Sequence, residues 1–195
     1  MNGLCESRFE THINASVKRN DILYLGRFVD EKQPLLALEV VKKFSDAGWS
    51  GMFWLIGDGP VFEEINTKIK DLDLQEKVTT LRNATDSTVI EKFQSSFALL
   101  HLSRREGYGL AVVEAAYNGV PTILINYPDN AATDLQINPE LVCKSDSIEN
   151  IIDRLKFALF NQNILQLETR SWVKIAKKEK SYENSIETIE KFMVN

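Results

Sequence analysis

The stretch Ser103-Arg104-Arg105-Glu106-Gly107-Tyr108-Gly109-Leu110-Ala111-Val112-Val113-Glu114 sets two carboxylates around a glycine-punctuated turn that runs into an apolar helix. Gly107 and Gly109 permit a tight turn whose backbone N–H groups can approach a ligand. The helix that follows offers further unpaired N–H groups at the positive end of its dipole. An anion, phosphate above all, suits such a place. Leu110, Ala111, Val112, Val113, Ala115 and Ala116 leave no wide polar face, which predicts a helix buried nearly all round and closed by Gly119 and Pro121. Glu114 stands out within that run. A buried carboxylate is costly unless hydrogen-bonded, so either a ligand's hydroxyl pair or a structural donor from a neighbouring strand must satisfy it. Glu106, taken alone, could simply complement the helix dipole. The spacing of the two glutamates, with the glycines between them, suits a ligand whose two polyhydroxyl ends are joined by phosphate.

The elements that must position these groups alternate along the chain. Strand-like runs fall at 22–25, 52–56, 77–81, 97–102, 122–125 and 140–143. Helical apolar spacing falls between them at 34–47, 61–70, 87–94 and 110–118, and everything from about Ser147 reads as helix. Such alternation predicts an α/β fold: a Rossmann-like parallel sheet flanked by helices, with ligands bound at the carboxyl ends of the strands. The glycine-containing loops occupy those ends. Arg27 sits at the end of the first strand, where a cation can meet a ligand. Lys32, beside Asp30 and Glu31, reads by itself as a solvated charge.

The segment from Glu106-Gly107-Tyr108-Gly109 to Glu114 resembles the E-x7-E signature of retaining GT-B glycosyltransferases of the large glycosyltransferase-4, or group 1, family. The turn Gly119-Val120-Pro121 follows it, as is usual there. Leu23-Tyr24-Leu25-Gly26-Arg27-Phe28 with Lys32 resembles the family's strand, Gly-Arg and lysine. Leu55-Ile56-Gly57-Asp58-Gly59-Pro60 resembles its Gly-Asp-Gly-Pro turn, and Ser171-Trp172 the start of its closing helix. The motifs keep the family's order, and the resemblance covers about residues 20–194.

The resemblance implies the C-terminal, donor-binding domain of such an enzyme. Arg27 and Lys32 would hold the donor diphosphate. Glu106 would contact hydroxyls of the donor sugar, and Glu114 the ribose hydroxyls. Gly107, Tyr108, Gly109 and Leu110 would offer backbone N–H groups to the phosphates, and Arg82 and Asn83 would flank the base. It also implies transfer of a hexose-type sugar from a nucleoside-diphosphate sugar to an acceptor hydroxyl with retention, and neither a metal nor any other cofactor. Asn2-Gly3 resembles the end of the acceptor domain, so residues 1–20 are expected to be an interdomain linker remnant and residues 21–195 the nucleotide-sugar-binding domain. The acceptor domain is expected outside this chain, which would be inactive without it. An apolar face on the last helix, at Tyr182, Ile186, Ile189, Phe192 and Met193, would then lack its usual cover.

Departures from the family pattern are specific. Leu102 stands before Ser103 where proline is usual, Gln33-Pro34 follows Lys32 where glycine is frequent, and Asn83 replaces a common glycine. Tyr127-Pro128-Asp129-Asn130-Ala131-Ala132-Thr133-Asp134 replaces a glycine-rich loop. It could contact the sugar, but is expected rather to cap the next helix through Asp129 or Asn130.

With 195 residues, 44% of them hydrophobic, the chain suffices for one domain of ordinary size. A net charge of −5 argues against nucleic acid or an anionic membrane as a general partner, since such binding rests on excess Lys and Arg. Any peripheral membrane association is expected to run through the absent domain. Cys5 and Cys143 form no disulfide framework, no leader or spanning segment is evident, and the cytoplasm is the expected compartment. Asp71-Leu72-Asp73 imitates a metal-binding D-x-D but reads as a solvated helix end. His101 reads as a satisfied core histidine and His12 as part of the linker. A sugar-nucleotide epimerase half and a non-catalytic nucleotide-binding module are alternative readings. A dinucleotide oxidoreductase is not, because Gly26-Arg27-Phe28 is no glycine fingerprint.

Overall fold

The computed structural model describes residues 19–179. In chain order the strands are β1 (Asp21–Leu25), β2 (Phe53–Ile56), β3 (Val78–Leu81), β4 (Ser96–His101), β5 (Arg105–Glu106), β6 (Thr122–Ile125), β7 (Asp129–Asn130) and β8 (Val142–Cys143). The helices are α1 (Pro34–Asp46), α2 (Phe62–Asp71), α3 (Asp86–Ser95), α4 (Leu110–Tyr117), α5 (Ile148–Phe160) and α6 (Gln162–Glu179). Six strands make one sheet in the order β3-β2-β1-β4-β6-β8, and β5 pairs with β7 beside it. Every pairing is parallel. Each crossover therefore needs a connection over a sheet face, which α1 to α4 supply as far as β6, while 3-10 turns lead from β6 to β8.

The period-two alternation of the strands divides the core. Ile22 and Tyr24 of β1, with Phe53 and Leu55 of β2, face one side and pack with Leu38, Val41 and Ile151 from α1 and α5. Leu23 and Ile56 face the other side and pack with Val89 and Phe93 of α3 and Ala115 of α4. All residues of β4 and β6 are buried, as expected for central parallel strands covered on both faces. α6 packs on α4. Trp172, from the Ser171-Trp172 pair, rests against the cluster of Val112, Val113, Leu124, Ala132 and Leu135.

The strand expected at 140–143 is shorter than its sequence suggests. Pro139–Leu141 form a 3-10 turn capped by the Asn138 side chain, which accepts from Glu140 N–H at 2.9 Å, and only Val142 and Cys143 pair with β6. Proline favours the turn because its fixed φ suits a first helical position and it has no N–H to lend to a ladder. Cys143 is a buried free thiol, pushed up to about 12 by burial. Asp71 ends α2 and is exposed, in keeping with a solvated helix end.

Residues 1–18, with Asn2-Gly3, Cys5 and His12, and the apolar positions Tyr182, Ile186, Ile189, Phe192 and Met193 lie outside the described residues. Arg19 is 3% exposed. Its backbone N–H donates to Gln162 Oε1 at 3.2 Å and its carbonyl accepts from Gln162 Nε2 at 2.9 Å. Its guanidinium donates to the carbonyls of Ser96, Asn118 and Gly119. The chain thus enters β1 pinned to the start of α6 and to the carboxyl end of α4, where a cation complements the dipole.

Candidate functional site

The strand order reverses between β1 and β4, since β1 connects outward to β2 on one side while β4 leads to β6 on the other. In open parallel sheets the crevice outside the strand carboxyl ends at that reversal is where ligands bind. A cleft of about 580 Å³ opens there. Tyr24, Leu25 and Gly26 from the end of β1 and Leu100, His101 and Leu102 from the end of β4 form its base. Arg27, Lys32, Glu106, Tyr108, Leu110 and Glu114 also line it.

Close backbone packing shapes the cleft on the β2 side. Gly26 N–H donates to the Ile56 carbonyl at 3.0 Å, and Phe28 N–H to the Asp58 carbonyl at 2.8 Å. A Cβ on Gly57 would fall 1.9 Å from the Gly26 carbonyl oxygen, so any side chain there would collide with backbone. Lys32 is delivered by a 3-10 turn over Asp30–Lys32 that ends on Gln33 at φ 53. A side chain at that left-handed position is strained, at a cost of about 1 kcal/mol or more. Gln33 is nonetheless buried, and its Nε2 donates to the Tyr127 hydroxyl at 3.0 Å. This hydrogen bond is the local compensation where glycine would have been free of strain.

The 103–109 loop is held from several sides. Arg104 N–H donates to the Glu31 carbonyl at 2.8 Å, and Ser103 Oγ to the Arg105 carbonyl at 2.8 Å. Arg105 and Glu106 form β5 against Asp129 and Asn130 of β7. Asn130 caps the 3-10 turn over Ala131–Leu135, accepting from Ala132 N–H at 3.2 Å, so the capping expectation holds. The same side chain donates to the carbonyls of Ser103 and Ile125, both at 3.1 Å, and so also braces the site loop. Gly109 begins α4 at φ 80, where an added Cβ would lie 2.8 Å from Ala132 Cβ.

Glu106 is the convergence point. Its Oε1 accepts from Gly107 N–H at 3.0 Å and from Tyr108 N–H at 3.4 Å. Its Oε2 accepts from Lys32 Nζ at 2.5 Å, and Lys32 Nζ also reaches the Arg105 carbonyl at 3.2 Å. His101 Nε2 lies 3.5 Å from the same Oε2, at the outer limit of hydrogen-bond distance, and makes no hydrogen bond to it in this geometry. His101 and Lys32 together hold the Glu106 carboxyl well below the usual carboxylate range, against the burial that would raise it.

That shift has a consequence for stability. The folded chain binds the Glu106 proton less readily than the unfolded chain does, so the stabilisation is complete above the ordinary glutamate value of about 4.3 and is lost as pH falls below it. Glu106→Gln is expected to flatten the acid limb of a stability-versus-pH curve measured by urea unfolding between pH 3 and 6. An unchanged acid limb in the variant would remove Glu106 from the list of groups responsible.

Two expectations need correction. α4 is not buried nearly all round: Leu110 is 44% exposed, and Ala111, Glu114 and Tyr117 are half-buried. The apolar run reads as fully buried because Leu110 and Ala111 are apolar, but both line the cleft. His101 is buried, yet it is no satisfied core histidine, for its Nε2 has no hydrogen bond and turns toward Glu106. Its place at the end of a strand that leads into the glycine turn is the one sequence signal that could have brought it into the site.

Arg82 and Asn83 stand outside the cleft lining. Arg82 forms a bidentate pair with Asp58, at 2.9 Å for both bonds, and lies over the Phe62 ring at 4.5 Å. Asn83 occupies φ 54, the backbone region that favours glycine and that asparagine tolerates best among other residues. Gly107 and Gly109 belong to the turn between Glu106 and α4, and Asp58 joins the lining. Among the described residues no group of three or more His, Cys, Asp or Glu side chains could hold a metal ion. No described helix is long and apolar enough to cross a membrane.

The family model for glycosyl transferases group 1 matches residues 7–180. The 2-deoxystreptamine N-acetyl-D-glucosaminyltransferase of Niallia circulans is 26% identical over 162 residues, covering 82% of this chain and 40% of the relative. The human alpha-1,3/1,6-mannosyltransferase ALG2 is 24% identical over 150 residues, covering 67% of this chain and 36% of the relative. Among solved structures, TarM of S. aureus in complex with UDP superposes with a TM-score of 0.77 at 19% identity, covering 91% of this chain and 35% of that one. Anabaena HepE in complex with UDP and glucose superposes with a TM-score of 0.73 at 14% identity, covering 91% and 49%. The structural likeness concerns the fold. The chain spans 40% and 36% of the two curated relatives.

Proposed function

Since the chain belongs to the glycosyl transferases group 1 family, we propose that it is the donor-binding half of a retaining glycosyltransferase that moves a hexose-type sugar from a nucleoside-diphosphate sugar to an acceptor hydroxyl. The acceptor-binding half lies outside these 195 residues, and transfer requires both. The observation that carries this reading is the convergence of Lys32 Nζ and the Gly107 and Tyr108 N–H groups on one carboxylate, at the strand reversal. The carboxylate is thereby fixed beside Lys32, an ammonium that can also meet phosphate.

In this reading Lys32 and Arg27 meet the diphosphate. Negative charge grows on the departing nucleoside diphosphate as the bond to the sugar breaks, so fixed cations there favour the transition state over the ground state. Glu106 reads the sugar hydroxyls, and Glu114, in the second turn of α4, receives the ribose hydroxyls. Arg82 and Asp58 shape the base side of the cleft through their mutual ion pair. The UDP in complexes of similar fold makes uridine nucleotides the first probes.

Calorimetry with UDP, UDP-glucose and uridine tests the reading: UDP is expected to bind more tightly than uridine, and equal affinities would sink the phosphate site. Glu114→Gln is expected to weaken UDP and UDP-glucose alike by about 1 to 3 kcal/mol, the scale of a hydrogen bond to a charged group. Glu106→Gln should mainly weaken UDP-glucose. Equal losses for both ligands in both variants would contradict the ribose and sugar roles.

A further inference from the structure

We infer that His101 is a positioning residue for Glu106: its Nε2–H takes over the Glu106 Oε2 when Lys32 turns to a bound diphosphate, and so holds the carboxylate that reads the donor sugar. The inference rests on the donor-binding reading above and deepens it.

The argument starts from what Glu106 would lose. Oε2 is held at 2.5 Å by Lys32 Nζ. Lys32 already spends two of its three donors on Glu106 Oε2 and the Arg105 carbonyl, and a phosphate, the stronger claimant, draws the ammonium toward itself and loosens its hold on the carboxylate. The Glu106 side chain is only 19% exposed, so water replaces the lost partner poorly. Among the described groups around Oε2, the remaining donor is His101 Nε2, at 3.5 Å.

His101 has the complementary need. It is 6% exposed, and its Nε2 is a buried polar atom without a hydrogen bond. An imidazole nitrogen left so is costly, and native structures rarely leave such an atom idle without a role. The ring cannot travel far to find a partner. His101 closes β4, paired in register with Leu124 of β6, and its neighbours Leu100 and Leu102 are fully packed. The adjustment therefore falls to Glu106, which sits on a two-residue strand in a glycine turn and needs to move by only about half an ångström to bring the pair within hydrogen-bond distance. The neutral tautomer with its proton on Nε2 supplies the donor. Oε1 meanwhile remains beside the Gly107 and Tyr108 N–H groups, so the carboxylate is fixed at both oxygens and its remaining lone pairs face the cleft.

The test compares UDP with UDP-glucose by calorimetry on the 195-residue chain and on two variants. His101→Leu keeps the volume and removes the donor. His101→Gln keeps an N–H near the position of Nε2. His101→Leu is expected to lower the preference for UDP-glucose over UDP by roughly tenfold while leaving UDP affinity within about twofold, and His101→Gln is expected to retain most of the preference. Far-UV circular dichroism and urea midpoints verify that both variants fold. An unchanged preference in His101→Leu overturns the inference alone, with the donor-binding reading intact. Equal loss of both ligands overturns it as well, since that pattern marks a general cleft defect or direct contact with the diphosphate. A His101→Gln variant as impaired as His101→Leu shows that the imidazole serves as packing. Absence of UDP binding in the parent chain overturns the donor-binding reading, and this inference falls with it.

Discussion

Replacing Gly57 with alanine is expected to destabilise the fold by about 3 kcal/mol and to abolish nucleotide binding in whatever fraction remains folded. The added methyl would fall 1.9 Å from the Gly26 carbonyl oxygen and 2.9 Å from its carbon, and both atoms belong to backbone. No flexible side chain can yield. The Gly26 turn is in turn held by its N–H donating to the Ile56 carbonyl, so relief of the clash would have to part the ends of β1 and β2. Those ends form the base of the cleft, which is why the damage is both thermodynamic and functional. Gly107→Ala is the matched control, because nothing lies within 4 Å of its Cβ position and its backbone is not in the left-handed region. Urea unfolding of both variants decides the matter: a loss within about 0.5 kcal/mol is expected for Gly107→Ala, and similar midpoints for the two would show that the β1–β2 loop can reshape.

Lys32→Met is expected to weaken UDP by about 2 to 3 kcal/mol, or roughly 30- to 140-fold, and to lower stability as well. The two effects have different origins and can be separated. Lys32 and Glu106 are 16% and 19% exposed, so removing the cation leaves a largely buried carboxylate with its two N–H donors and a distant imidazole. Breaking one side of such a pair costs more than the pair contributes, because the surviving charge remains desolvated. In the double variant Lys32→Met/Glu106→Gln the uncompensated charge is gone, and stability should return toward that of the parent. UDP binding should not return, since the cation proposed to meet the diphosphate is still absent. Recovery of both properties would place the phosphate elsewhere in the cleft.

Much of the fold was legible because local physics and tertiary context agree. The strands at 22–25, 53–56, 78–81 and 122–125 and helices α1 to α4 fall within a residue or two of where apolar periodicity put them. The strand at 140–143 did not, because Pro139 and Asn138 favour a capped turn over an extended ladder. The glycine turn between Glu106 and Glu114 declared itself by composition and Arg27 by its place after the first strand, whereas Lys32 reads by itself as a solvated charge and meets Glu106 only in the fold. The partner of Arg82 was not legible, because sequence does not show that Asp58, 24 residues away, pairs with its guanidinium.

What the sequence determined by itself was the alternation of elements, the parallel sheet it requires and the family's motif set, all of which depend on residues close together along the chain. What only the tertiary structure decided was which charged groups meet. Lys32 and Glu106 are separated by 74 residues, and Asn130 braces Ser103 across 27. His101 changes from a core residue to a neighbour of Glu106 only once the loop after β4, held to β7 through β5, folds back toward the strand end. Hydrogen bonds and ion pairs act over a few ångströms, whereas sequence periodicity records only which face of an element is apolar. The partners of a charge are therefore chosen by the order of the strands, after folding has brought distant loops to one edge of the sheet.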